Sequence, residues 1–473
     1  MKLKLVLIYT VIMIFNSIFN ISPVELILTI PQFILVIFFM FKDIDKAVFL
    51  HIIFLLTSND YWVLDSTGTG YLDVFPYTYA KLKLVSNISF SSLLTLVMIA
   101  YILITNGTRI LSNVWHSKIL FAKFYRLLIY FLISGIIVGA FGFIFSNYKM
   151  HGVTVYGSYM IFTVSVVTLL ACRYNSYLVE KFYNNTLSLL LSAVLSGAIL
   201  RFFEIQNSGG QVLTFFSSLL IPALLYYKKT ALIPILIGII LSIYNTLNGG
   251  ASGKAIYAIV MMVIATVYLC RTRIVRTMKP VLSKVIFLVA IISIMLIPSI
   301  ILVIQKNYSG SEKITSKIWQ VTTLQDYLTG KGKMEDVAHS PYVRVAEFRN
   351  VGYEALRNPI FFVFGHGYGG YFKDDLHLFN NVSLGFGDYS FETIQSGEFP
   401  TAHDTASSMP LLHGFVGLFL FLRLAFLYLK SSKYNYLRLT AIIYFVLCFY
   451  FNTLISFCGV FLLFASEYKP KIS

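Results

Sequence analysis

LLIYFLISGIIVGAFGFIFS, residues 127–146, is a run of apolar and small residues that holds no charged side chain. A helix of about 20 mostly apolar residues spans the hydrocarbon core of a bilayer. About fourteen such runs follow one another along the chain, or twelve to thirteen because the third is interrupted and the last two are short and closely joined. Their approximate limits are 4–21, 24–41, 47–63, 84–105, 127–146, 153–172, 186–203, 211–227, 230–247, 254–270, 285–305, 408–429, 438–453 and 455–466. The period-two alternation of a membrane β-barrel is absent, so the sequence predicts an all-α, polytopic membrane protein.

The composition of the whole chain agrees with this fold class. Of its 473 residues, 57% are hydrophobic and 12% are charged, and the mean hydropathy is +0.76. A soluble domain carries about 25% charged residues. The runs divide the chain into a bundle of about eleven transmembrane helices at 1–305, a large polar segment at 306–407 and about three C-terminal transmembrane helices at 408–473. Residues 306–407 are called the polar segment below.

Basic residues gather at one set of ends of the predicted spans. Placing the N-terminus in the cytoplasm puts 22 of the 37 Lys and Arg residues on that side, against four acidic residues. Cytoplasmic loops of membrane proteins carry such an excess of Lys and Arg. Both termini are therefore expected in the cytoplasm and the polar segment, with twelve acids and nine bases, outside. Since this pattern accounts for the net charge of +16, no nucleic-acid partner is predicted.

The residue types that bind metals show no suitable spacing. All four cysteines, Cys172, Cys270, Cys448 and Cys458, fall in or at the ends of apolar runs, without a C-x-x-C pair. They are interpreted as small buried apolar residues. The polar segment has no Asp-x-Asp motif, so neither a metal site nor a cofactor is predicted.

The polar segment has helical periodicity of its own. Residues 316–327 and 343–356 read as two short amphipathic helices. Asn358-Pro359 ends the second, because proline constrains the residue before it and cannot continue a helix. An apolar stretch and a glycine cluster, Gly365–Gly370, follow. We expect a partly helical loop folded over the bilayer.

Two arginines in this loop, Arg344 and Arg349, are candidate phosphate ligands. Guanidinium groups bind phosphate in a planar, bidentate way and keep their charge. The alternative is a structural role in which they form salt bridges with Glu347 or Glu354 on the same helix.

Each of three further features allows a functional and a structural interpretation. The glycine cluster lacks the Lys-Ser/Thr ending of a P-loop, and its backbone either approaches a ligand or forms a tight turn. His403-Asp404 pairs a base that titrates near neutral pH with a carboxylate that can orient it; alternatively Asp404 or Thr405 is an N-cap. Arg201 and Lys254, at external ends of spans, either act on a substrate or extend to the lipid headgroups.

The order of these motifs resembles the bacterial O-antigen polymerase and O-antigen ligase family. The order is Arg344, Pro359, Gly365-x-Gly367, His403-Asp404 and Gly414-x-x-Gly417-Leu418. Ser252-Gly253-Lys254 is similar in place to a Ser-Arg-Gly-like sequence of that family. Lys254 stands where the family has Arg, and Asp404 stands where it has Asn.

The resemblance implies a membrane-embedded glycosyltransferase of the GT-C type whose donor is a glycan on undecaprenyl pyrophosphate. It implies Arg344 and Lys254, with Arg201 or Arg349, as cations on the pyrophosphate. His403 would be the base that takes the proton of the acceptor hydroxyl, with Asp404 orienting it. Gly365 and Gly367 would shape the pocket, and no metal would be needed.

The favoured function is an O-antigen polymerase of the bacterial inner membrane that joins lipid-linked repeat units on the periplasmic face. The nearest alternative is the ligase that transfers the finished chain to lipid A-core, and the sequence does not separate the two. A lipid-linked oligosaccharide flippase and a non-catalytic scaffold remain open as other classes. Partners of the same pathway would be a flippase and a chain-length regulator, besides membrane lipid.

Overall fold

A computed structural model describes residues 3–18, 22–58, 62–64, 71–73, 77–85, 88–145, 148–203, 311–384, 388–431, 437, 438, 441 and 453–469. This part of the chain is mostly helical, as predicted. Its helices are α1 (Leu3–Ile18), α2 (Ser22–Lys42), α3 (Ile44–Thr57), α4 (Phe90–Asn106), α5 (Arg109–His116), α6 (Leu120–Ile144), α7 (Met150–Cys172), α8 (Ser176–Phe202), α9 (Ser311–Leu328), α10 (His339–Arg357), α11 (Pro359–Phe364), α12 (Phe391–Ser396), α13 (Thr405–Ser431) and α14 (Thr453–Ser466). Its strands form the antiparallel pairs β1 (Trp62–Leu64) with β2 (Tyr71–Asp73), β3 (Lys83–Val85) with β4 (Ile88–Ser89), and β5 (Phe372–Lys373) with β6 (Glu398–Phe399).

Within the described residues, four helices are long and apolar enough to cross a membrane: α2 from Glu25, α6, α7 and α13. A fifth span results if α4 and α5, which are bent by 103°, are counted as one broken span. These are helices of a membrane protein. The predicted runs 211–227, 230–247, 254–270 and 285–305 lie outside the described residues, as does almost all of 438–453. The number of about fourteen spans therefore stays a prediction.

Aromatic and satisfied polar contacts hold the membrane helices together. Phe182 of α8 contacts Phe49 of α3 and Phe464 of α14, with ring centroids 5.2 and 5.4 Å apart. His51 of α3 is fully buried, and its two ring nitrogens lie 2.7 Å from the Tyr79 hydroxyl and 2.9 Å from the Thr95 hydroxyl. A polar side chain is tolerated at this depth because both of its polar atoms are paired.

The polar segment is folded around an apolar core. The predicted helix 316–327 lies within α9, and the predicted helix 343–356 lies within α10. Asn358 ends α10 and also caps α11, since its side chain accepts from the amides of Ile360 and Phe361. The buried residues that form this core are Val337, Tyr342, Val343, Ala346, Val351, Ala355, Phe361, Phe372, Phe379, Tyr389, Phe399 and Leu411.

The glycine cluster of the polar segment packs along α6, well before the end of that helix at Ile144. The Tyr368 amide donates to Gly135 O at 2.9 Å, and the Tyr368 hydroxyl donates to Phe131 O at 3.1 Å. At about 1.5 Å per residue, Gly139 and Gly135 lie roughly 8 and 14 Å from the end of α6 at Ile144. Irregular backbone is tolerated at membrane depth only where protein buries it, and this backbone is buried.

The same cluster explains a break in α13 at Gly414, which has φ 68° and ψ 175°. A helix continued through this point would direct the amides of residues 415 and 416 at the carbonyls of Leu411 and Leu412. Instead, His366 N donates to Leu411 O at 2.7 Å and Gly367 N donates to Leu412 O at 3.1 Å. Gly414-x-x-Gly417-Leu418 therefore opens the second helical part of α13, which a kink at Gly414 separates from the part that begins at Thr405.

Candidate functional site

The centre of the candidate site is Glu347 of α10, whose side chain is 0% exposed. Its Oε1 accepts from Nδ1 of His403 at 2.5 Å and also from the hydroxyl of Tyr389. Its Oε2 accepts from the backbone amide of His403 at 2.9 Å. A buried carboxylate is costly unless hydrogen bonds satisfy it, and these three contacts do so while fixing the imidazole ring.

The segment that carries His403 is anchored to a membrane helix. α7 contains a π-helical turn at Val153–Gly157, a type of irregularity that often occurs at functional sites. Tyr156 of this turn donates its hydroxyl proton to Ala402 O at 3.1 Å and accepts from Ala402 N at 2.9 Å. Residue 402 is therefore held on both sides of its backbone, directly before His403.

The environment of His403 favours the charged imidazolium. Burial alone would lower the pKa of His403, but the hydrogen bond and the negative charge of Glu347 outweigh burial and raise the pKa above its ordinary value of 6.5. No hydrogen bond among the described residues involves Nε2, and the side chain is 26% exposed. His403 can therefore exchange a proton at Nε2 while Glu347 holds Nδ1.

Arg344 lies one helical turn before Glu347 on α10. Its guanidinium donates to the carbonyl and the hydroxyl of Ser340 at 2.8 and 2.5 Å. It is close enough to His403 and Asp404 for its positive charge to oppose the rise in the pKa of both groups. The structure therefore brings Arg344 and His403 together, as the sequence predicts for a shared site.

Asp404 caps α13 instead of contacting the imidazole of His403. Its Oδ1 accepts from Ser407 N at 2.8 Å, the contact expected of an N-cap residue. Burial and the charge of Glu347 raise the pKa of Asp404, while the hydrogen bonds from Ser407 and the charge of Arg344 oppose the rise. The carboxylate that orients the imidazole of His403 is Glu347, for which the sequence predicts only a salt bridge with an arginine of the same helix.

The other candidate residues lie elsewhere. Arg349 is exposed, and its guanidinium lies 3.2 Å from the sulfur of Met334. Gly365 and Gly367 are buried, and their amides donate to the carbonyls of Phe361 and Leu412 at 2.8 and 3.1 Å. Both glycines thus form the tight turn that the pattern also allowed.

Two candidate cations remain, Arg201 and Lys254. Arg201 belongs to the last turn of α8, and Lys254 lies outside the described residues. A role for either in binding pyrophosphate stays a prediction.

A second histidine pairs with α10 two turns further on. His366 Nε2 lies 2.8 Å from Glu354 Oε1, and the His366 ring stacks on Phe361 with centroids 4.2 Å apart. Glu347 and Glu354 are seven residues apart and share a helix face. Both glutamates therefore bind histidines rather than the arginines of their own helix.

Over the described residues, no group of three or more His, Cys, Asp or Glu side chains is arranged to hold a metal ion. Comparison with protein-family models, with curated proteins and with solved structures gives no match.

Proposed function

We propose that this protein is a membrane glycosyltransferase of the O-antigen polymerase type, which joins undecaprenyl-pyrophosphate-linked repeat units on the periplasmic face of the inner membrane. The observation that carries the proposal is the contact between buried Glu347 and His403, with Arg344 beside it. A base, a group that stabilises its charged form and a cation are the parts that this transfer requires without a nucleotide or a metal.

In the proposed reaction, Nε2 of His403 takes the proton of the acceptor sugar hydroxyl. The hydroxyl oxygen attacks the anomeric carbon of the donor, and the bond from that carbon to the pyrophosphate oxygen breaks. The pyrophosphate leaves on its lipid with the bonding electron pair. Glu347 stabilises the imidazolium that forms, and Arg344 stabilises the charge that grows on the pyrophosphate.

The position of the dyad suits a substrate anchored in lipid. His403 lies two residues before α13, and Tyr156, which holds its neighbour, belongs to the first turns of α7. Three side chains of α11, Ile360, Phe362 and Phe364, are apolar and exposed. An apolar helix surface of this kind is stable against acyl chains, so the dyad stands where a lipid headgroup would meet the protein.

A deletion strain examined by polysaccharide gel tests the function. Loss of the ladder with a single repeat unit still attached to core supports a polymerase. Loss of all O-antigen from core, with polymer left on the carrier lipid, supports the ligase. Repeat units confined to the cytoplasmic leaflet would support a flippase, and an unchanged gel would contradict all three.

Replacement of Glu347 with glutamine is expected to move the acid limb of the rate profile to lower pH. His403 accepts a proton only when it is neutral, and Glu347 raises its pKa, so the wild-type rate falls as pH drops through a value above 6.5. Glutamine keeps the size of the side chain and one of its two acceptor oxygens but removes the charge, which lowers the pKa of His403.

The measurement is the transfer rate between pH 5 and 9 in reconstituted membranes. Glu354→Gln is the matched control, since Glu354 pairs with His366 and its replacement should leave the limb in place. An unmoved limb in Glu347→Gln would remove His403 as the titrating base.

A further inference from the structure

A cavity of about 550 Å³ lies in the polar segment, apart from the His403 dyad. This volume lies within the range of about 300–1,000 Å³ that ligand pockets in proteins have. The rim of this cavity carries Asp375, His377 and Asn380, all exposed, with Arg357 and Lys373 beside them. Its floor includes Phe379 and Phe399, which are buried, and Val382, Leu384 and Ile394, which are partly exposed.

The rim is held in a conformation that its sequence does not favour. His377 has φ 53°, in the left-handed region, and is the one residue other than glycine with positive φ among the described residues. This conformation is unfavourable for a residue that carries a Cβ, and it persists only where neighbours impose it.

A half-buried carboxylate, that of Asp374, imposes this conformation. Asp374 accepts from Asn350 Nδ2 at 2.8 Å, from Leu378 N at 2.9 Å and from Phe379 N at 2.8 Å. Asn350 also accepts from Leu376 N at 3.1 Å. The loop at 374–379 is therefore rigid, and it presents the imidazole of His377 and the carboxylate of Asp375 at the mouth of the cavity.

The floor of the cavity is joined to the dyad by ring contacts. Phe399 and Phe379 have centroids 4.8 Å apart, and Phe399 and Tyr389 also lie 4.8 Å apart. Tyr389 in turn donates to Glu347 and contacts the ring of His403, with centroids 5.1 Å apart. One aromatic wall thus separates the cavity from the dyad.

A salt-bridge chain joins the rim to the external end of the membrane helices. Glu398 of β6 lies 3.7 Å from Lys373 and 2.5 Å from Lys149. Lys149 stands between α6 and α7, directly before α7 begins at Met150. The rim of the cavity is therefore tied to the connection between two of the apolar helices.

We propose that this cavity is a carbohydrate subsite, which holds sugar residues of the lipid-linked glycan at a distance from the bond that forms. Carboxylate, amide and imidazole groups hydrogen-bond the hydroxyls of a sugar, and the partly exposed aliphatic side chains of the floor suit the apolar face of a sugar ring. The assignment of this glycan as the substrate rests on the proposed function. Such a subsite gives the enzyme a means to select its own repeat unit.

The test is binding of the free repeat-unit oligosaccharide, released by mild acid from the carrier lipid of the strain that holds the gene. The full protein in lipid nanodiscs is titrated by calorimetry and by saturation-transfer NMR. Asp375→Ala is expected to raise the Kd, and the KM for transfer, about tenfold, because a hydrogen bond to a charged group is lost. The kcat should not change. Glu335→Ala, which removes another exposed carboxylate of the polar segment, should bind as wild type does.

His377→Gly separates binding from folding. Glycine adopts positive φ without strain, so this variant should be at least as stable as wild type and still bind the oligosaccharide about tenfold more weakly. Wild-type affinity in both cavity variants, or no binding by wild type, would overturn the subsite.

His403→Ala distinguishes this proposal from the proposed function. It should bind the oligosaccharide normally while losing transfer. Transfer retained in His403→Ala would contradict the catalytic role without affecting the cavity. If only the cavity variants bind the oligosaccharide more weakly, the subsite is supported, whether or not His403→Ala loses transfer.

Discussion

Replacing His403 with alanine is expected to lower the rate of glycan transfer by about a hundred- to ten-thousand-fold, the range that a positioned general base contributes. The residual rate would come from the activated pyrophosphate donor and from Arg344. The effect should fall on kcat, because the imidazole accepts a proton in the transition state and contributes little to glycan binding. Transfer in reconstituted membranes, with the amount of protein measured on the same samples, is the readout.

Two variants serve as controls for this result. His339 of α10 also contacts a carboxylate, with Nε2 2.7 Å from Asp388, but it is 47% exposed and far along the helix from Glu347; His339→Ala should keep its activity. Asp404→Asn keeps an N-cap residue of equal strength and should also transfer at close to the wild-type rate. Full activity in His403→Ala would show that the dyad is structural.

The fold class follows from the sequence because the physics that sets it is local. A run such as 127–146 must be a helix in a bilayer, whatever its neighbours are, since its backbone groups have no other partners there. The C-terminal end of α10 also follows from local chemistry, because Pro359 prevents the helix from continuing and Asn358 caps the next one.

The central contact of the site could not be predicted in the same way. Spacing along α10 places Glu347 three residues after Arg344, and a helical pair of opposite charges is the expected outcome. The observed partner, His403, is 56 residues away in sequence. Tertiary packing brings it there: Tyr156 of α7 fixes residue 402, and nothing in a helical pattern encodes that contact.

The glycine cluster is a second feature whose tertiary contacts the sequence does not predict. Its glycines predict a turn or a close approach, and both occur, but the partner is a helix backbone. Gly135 and Gly139 of α6 are spaced like the small residues that let membrane helices approach each other closely. The sequence does not indicate which apolar run contacts the turn.

Replacing Gly367 with alanine is expected to produce the largest loss of stability among single substitutions in the polar segment. Gly367 has φ 69°, and an added Cβ would meet backbone atoms of Gly135, Val138 and Gly139 on α6. The left-handed conformation costs an L-residue about 1–2 kcal/mol, and overpacking against a backbone adds about 1–3 kcal/mol. Thermal unfolding in nanodiscs should show a lower midpoint. Transfer should also fall, because α13 and the His403 segment are docked through the same turn.

Two other glycines separate the causes of that loss. Gly330 has φ 74° but would place its Cβ in open space, so Gly330→Ala should show the cost of the backbone conformation alone. Gly352 lies within α10 with nothing near its Cβ, and alanine there should stabilise by about 1 kcal/mol through helix propensity. The expected order of midpoints is Gly352→Ala, wild type, Gly330→Ala and Gly367→Ala. Equal midpoints for Gly330→Ala and Gly367→Ala would contradict the contact between this turn and α6. They would also contradict the docking of the polar segment against the membrane helices.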